Sequence, residues 1–176
     1  QQQTYALYLN GQWQECVDFG AAAINRHGSD TQTRLSMASA QFELGDYEAA
    51  AEGFSQGGDL SADNLRDYAV CLARLGSPGE PKDLLAALRR HGANSDVTLY
   101  VEGEVAYAAG EYGEAEKIFL EGLASDADIA MKQRAFRSLA RLYRDCAGLE
   151  RIGESPLAGS TVDTPAVLKE TKMLYT

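Results

Sequence analysis

The chain is short of positive charge. Sixteen Lys and Arg stand against twenty-six Asp and Glu, giving a net charge of −10 and a pI near 4.6. Phosphate backbones are held by a basic footprint, so this balance excludes DNA and RNA as expected partners. Proline is scarce as well. Four prolines in 176 residues, with 45% apolar and 24% charged residues, fit a folded globular chain rather than a disordered one. No apolar run approaches the roughly 20 residues that a membrane helix needs, so no membrane insertion is expected. Cysteine is nearly absent. Cys16, Cys71 and Cys146 are odd in number, widely spaced and without a C-x-x-C pair, which excludes a disulfide framework or a zinc site. Cys16 and Cys71 fall within apolar helical patterns, where a free thiol acts as a small hydrophobe. Unpaired cysteines point to a reducing compartment such as the cytoplasm. The chain opens at Gln1 with no initiator Met and no charged-then-apolar leader, as expected of a processed or excised form.

Catalytic groupings are missing too. The two histidines, His27 and His91, close apolar helical patterns, where a cation complements the helix dipole without any catalytic role. Metal binding or acid–base work needs partners, and none converge on either histidine in sequence. Gly57-Gly58 follows no strand, and no phosphate-loop, dinucleotide or Gly-x-Ser-x-Gly fingerprint occurs. Carboxylates such as Glu48, Glu52, Glu114 and Glu116 are spaced like solvated helix faces. The expectation is therefore no enzyme, no catalytic residue, no metal and no cofactor.

What the chain does have is a repeat. Leu9-Asn10-Gly11-Gln12-Trp13, Glu43-Leu44-Gly45-Asp46-Tyr47 and Ala108-Ala109-Gly110-Glu111-Tyr112 resemble one another, with a weaker copy at Arg74-Leu75-Gly76-Ser77-Pro78. The glycines lie 34, 31 and 34 residues apart. In the three stronger copies an aromatic follows the glycine by two residues, and Cys16, Ala50 or Ala115 follows it by five. Before each glycine runs an apolar pattern of helical spacing, such as Leu35, Met37, Ala38 and Phe42. A second follows it, such as Tyr112, Ala115, Ile118, Phe119 and Leu123. The glycine reads as the C-terminal cap of the first helix, where a left-handed backbone costs it nothing. Ser29-Asp30 and Ser95-Asp96 offer caps for the next helix. One such helix pair cannot bury its own apolar stripe, so neighbours must stack to complete a core.

Gly-Asp-Tyr-x-x-Ala at Gly45 to Ala50 and Gly-Glu-Tyr-x-x-Ala at Gly110 to Ala115 resemble the tetratricopeptide (TPR) repeat, a 34-residue helix–turn–helix unit. The small residue seven before the turn is Ala38, Ala69 or Gly103, and Phe54, Leu85 or Phe119 stands nine after it. The resemblance covers roughly Gln1 to Ile129, with the first helix clipped at its start. It implies an all-α fold, a right-handed α-solenoid of antiparallel helix pairs. Units are expected at about 1–30, 31–61, 62–95 and 96–129, with a partial fifth at 130–146. The departures fall mainly in the third unit, where Pro78 and Pro81 replace the aromatic and the small residue. Its second helix is expected to start late, near Pro81, because proline is tolerated only in a first turn. Arg34, Gln41 and Glu102 stand where the family has larger apolar or aromatic residues. Met131 to Cys146 reads as an amphipathic helix, 147–163 as loop, and Thr164-Pro165 as the start of a terminal or capping helix over 164–176.

The resemblance also implies a concave groove lined by the first helices, commonly holding a peptide. Counting ten, six, three and two residues back from each turn glycine yields Tyr5, Tyr8, Phe42, Arg66, Arg74, Tyr100 and Tyr107 as the candidate peptide-binding residues. Tyrosine offers large contact area at low entropic cost, and Arg offers a planar fork for a carboxylate or phosphate. The function expected is a non-catalytic protein–protein interaction module taking a peptide, with an acidic group anchored by Arg66 and Arg74. Against this stands a plainer reading. The tyrosines would fill the inner surface while the arginines pair internally with Asp63, Glu43 or Glu104. A Lys/Asn clamp for a chaperone tail is missing, since no Asn lies in the groove. The second functional reading is structural: a scaffold segment that self-assembles into a homo-oligomer through the solenoid ends, or belongs to a larger enzyme or sensor.

Overall fold

The computed structural model describes residues 2–28, 30–77 and 80–150. They form helices α1 (Gln2–Leu9), α2 (Trp13–His27), α3 (Thr31–Leu44), α4 (Tyr47–Ser55), α5 (Ala62–Arg74), α6 (Glu80–Arg90), α7 (Ser95–Ala108), α8 (Tyr112–Ala124) and α9 (Ile129–Glu150), with no strand among the described residues. The all-α class read from the sequence therefore holds.

The starts and stops have local causes. Asp30, Asp46, Ser61 and Asp128 each accept a hydrogen bond from the backbone N–H three residues on, at 2.8–3.3 Å, and so satisfy a donor that the helix leaves unpaired. At α7 the cap position is Asn94 rather than the expected Ser95 or Asp96, and its side chain makes no capping bond. Gly11, Gly45, Gly76 and Gly110 all have positive φ, between 71° and 84°. At each, the glycine N–H bonds the carbonyl three residues back, and the following N–H bonds the carbonyl five residues before it, at 2.9–3.0 Å. One chain-reversing turn is thus built four times in the same register. α6 begins at Glu80 with Pro81 in its first turn, close to where the prolines placed its start.

The chain divides between Gly92 and Ala93 into two compact units. In the N-terminal unit, α1 packs on α2, α3 on α4 and α5 on α6, while α3 also touches α1 and α5. In the C-terminal unit, α7 packs on α8, and α9 packs on both. The same register positions carry the packing throughout. Seven before the turn glycine stand Thr4, Ala38, Ala69 and Gly103; five after it stand Cys16, Ala50, Pro81 and Ala115; nine after it stand Gly20, Phe54, Leu85 and Phe119. All are buried. Small residues are needed because the helices approach closely. A Cβ on Gly53 would stand 2.8 Å from the Ala38 Cβ, and one on Gly103 would run into the Phe119 ring. The phenyl groups that fill these gaps, Phe54 and Phe119, each stabilise the fold by about 2–3 kcal/mol through burial.

α9 differs from the sequence reading. It continues through Ala147 and Gly148 to Glu150, four residues into the segment expected to be loop. An alanine, a leucine and a glutamate in that stretch extend a helix readily, and one glycine costs only about 1 kcal/mol. The rest of that segment and the expected helix over 164–176 lie outside the described residues.

Candidate functional site

In the N-terminal unit the candidate residues separate by burial. Tyr5 is 45% exposed and Tyr8 is partly exposed on α1. Phe42 and Arg66 are 5% and 7% exposed, which removes them from any contact surface. Phe42 meets Tyr47 edge-on across the turn, ring centroids 5.9 Å apart. Arg66 pairs with Asp63 at 2.7 Å and with Asp67 at 2.8 Å. Asp67 is itself almost fully buried, so the Arg66 charge is what makes that carboxylate tolerable inside the unit. The internal pairing with Asp63 is the one the plainer sequence reading named. Arg74 is half-exposed; its guanidinium lies 4.6 Å from the centre of the Tyr47 ring and donates to the Tyr47 hydroxyl.

The C-terminal unit holds a denser polar network. Tyr100, 4% exposed, is a core residue facing Phe119 and Met131 around a crevice with room for about one water. Tyr107 is half-exposed. Its hydroxyl donates to Asp145, its ring lies 6.0 Å from that of Tyr112, and the Arg141 guanidinium stacks 4.9 Å from its centre. Arg141 donates from one nitrogen to both oxygens of Glu104, at 3.0 and 2.8 Å, and Ser138 donates to the same carboxylate. Glu104 is fully buried, so these donors replace the water it has lost. Burial works against the Arg141 charge, yet the Glu104 carboxylate and Tyr107 hold its pKa above the ordinary value. Nearby, the Tyr143 hydroxyl donates to the buried Glu116 at 2.6 Å. Burial and that carboxylate together raise the tyrosine's pKa.

Both units therefore use one device: an aromatic pair closing the turn, covered by an arginine from a neighbouring helix. Tyr47, Arg141 and Asp145 were not among the sequence candidates. Tyr47 had a legible signal in its place two residues after the turn glycine, next to the aromatic three before it. Arg141 and Asp145 had none, because both sit on α9, beyond the last turn glycine.

His27 ends α2 and His91 follows α6, both exposed at helix C-termini. All three cysteines are buried, and none is in a disulfide. Burial pushes the Cys16 thiol up to about 11, far from nucleophilic at neutral pH. Among the described residues no group of three His, Cys, Asp or Glu could hold a metal ion, and no helix is long and apolar enough to cross a membrane. In comparisons with known proteins, no family model, no curated protein and no solved structure matches the chain.

Proposed function

We propose that the chain is a non-catalytic interaction module of the TPR type, its helix pairs forming turns of a right-handed superhelix that binds a peptide on the face of the first helices. The observation that carries this reading is the fourfold recurrence of one turn and of one set of buried register positions around it. Stacked helix pairs of this kind present extended surfaces, which suits an extended ligand.

With Phe42, Arg66 and Tyr100 in the interior, the contact residues reduce to Tyr5, Tyr8 and Arg74 in the N-terminal unit and Tyr107 in the C-terminal one. Arg74 and Tyr107 are already oriented, by Tyr47 and by Asp145 with Arg141, so a ligand would meet fixed groups rather than order them. Charge reversal at Arg66 is a poor test, since it would leave Asp67 buried beside a second carboxylate.

The test is selection from a random-peptide display library against the full chain. Selected peptides are expected to lose at least tenfold in affinity for the Tyr5→Ala/Tyr8→Ala/Arg74→Ala variant, with helical content unchanged. Equal binding to the variant would contradict the proposed face.

A further inference from the structure

The exposed aliphatic residues of the N-terminal unit are not scattered. Leu9, Leu44 and Leu75 are 63%, 46% and 41% exposed. Leu9 is the last residue of α1, Leu44 the last of α3, and Leu75 the residue that follows α5. Leu44 and Leu75 immediately precede the left-handed glycines Gly45 and Gly76, and Leu9 stands two residues before Gly11. α3 touches both α1 and α5, and one helix reverses the chain between each of them and the next. Their C-termini therefore lie at one edge of the unit. Neighbouring packed helices stand about 8–10 Å apart, so Leu44 and Leu75, at the same register position on touching helices, form a row with about that spacing, and Leu9 lies at the end of α1 on the other side of α3.

The turn glycines hold this edge in shape, because their capping bonds fix the chain just beyond each leucine. Half-exposed aromatics, Trp13 and Tyr47, open the second helices at two of the turns. The surroundings are acidic. Glu43, Asp46 and Glu48 flank the Gly45 turn beside Leu44, and no Lys or Arg lies between Arg34 and Arg66. Arg74, the cation next to Leu75, is held on Tyr47.

We infer that this turn edge is a second docking surface, and that its occupant is a cationic amphipathic helix. Leucines seven apart on a helix are about 10 Å apart along its axis, which matches the row. Lysines or arginines flanking such a stripe would meet the carboxylates beside Leu44. A second copy of this chain is the disfavoured occupant, since like carboxylates would face each other across the contact. The surface adjoins the first-helix face proposed above, since Leu9 stands two residues before its turn glycine as Arg74 does, but Leu44 and Leu75 lie one position off that face and the inference does not depend on it.

The probe is a synthetic 21-residue helical peptide with leucines at a seven-residue repeat, flanked by lysines, beside a control of the same pattern flanked by glutamates. The lysine peptide is expected to bind the full chain and the glutamate control to bind at least tenfold more weakly. Leu44→Ser/Leu75→Ser, both at exposed positions, should lower affinity for the lysine peptide at least tenfold with unchanged circular dichroism. Glu48→Lys should weaken it severalfold. Equal affinity for both peptides, or a leucine variant that binds as well as the wild type, would overturn the proposal. So would a concentration-dependent dimer that the leucine substitutions abolish, because that outcome assigns the row to a second copy.

Discussion

Gly103 shows how much a single position can decide. An alanine in a helix interior normally gains about 1 kcal/mol over glycine, but at Gly103 its methyl group would enter the space of the Phe119 ring. Gly103→Ala is therefore predicted to lose about 1–3 kcal/mol of stability. Gly122, in α8 with nothing within 4 Å of the added Cβ, should behave oppositely, and Gly122→Ala should gain up to about 1 kcal/mol. Urea unfolding of the two variants checks both signs. Protonation acts at the same scale. Burial, then the bonded carboxylates, hold the Tyr107 and Tyr143 hydroxyls above their ordinary values, and burial lifts Cys16 to about 11. A raised value means that the folded chain keeps a proton which the unfolded chain has already released. This stability is full below the unfolded values, about 8.5 for Cys and 10 for Tyr, and is lost as pH rises beyond them. The urea midpoint should hold steady up to about pH 8 and fall steadily towards about pH 11, with Tyr143→Phe flattening the fall. A midpoint constant to about pH 11 would contradict these assignments.

At the scale of elements, α9 is tied to α7 through Glu104, Ser138 and Arg141, and to α8 through Tyr143 and Glu116. Glu104→Ala would strand the Arg141 charge and is predicted to cost about 3 kcal/mol, measured by chemical denaturation. Removing both charges, as in Glu104→Met/Arg141→Met, should recover much of that loss. Helix positions were legible because turn glycines, capping Asp and Ser residues and apolar spacing are local signals. The late start of α6 could be read from Pro81 alone. The end of α9 could not, since Ala147 and Leu149 suit a helix and nothing nearby stops it. Arg66 and Arg74 were legible as rare cations on the first helices, but of their partners only one was. Asp63 lies three residues from Arg66 and could be named, whereas Tyr47 reaches Arg74 from the preceding helix pair.

For the molecule as a whole, the period of the turn glycines located the helix pairs, and the register positions around them carried the core. The same counting placed Phe42 and Tyr100 on the contact face, where packing instead buries them, because register fixes a direction and not how far a neighbour covers it. The exposed leucines Leu44 and Leu75 share a repeat position, but their exposure, and that of Leu9 near them in register, became visible only in the structure. What remains on the first-helix face is a small set of aromatic groups and one oriented arginine. Amide chemical-shift mapping of the full chain, titrated with a peptide selected from the display library, tests that face most directly. The account predicts that the largest shifts in the N-terminal unit cluster on α1, α3 and α5 around Tyr5, Tyr8 and Arg74. Shifts confined to the second helices α2, α4, α6 and α8 would contradict it.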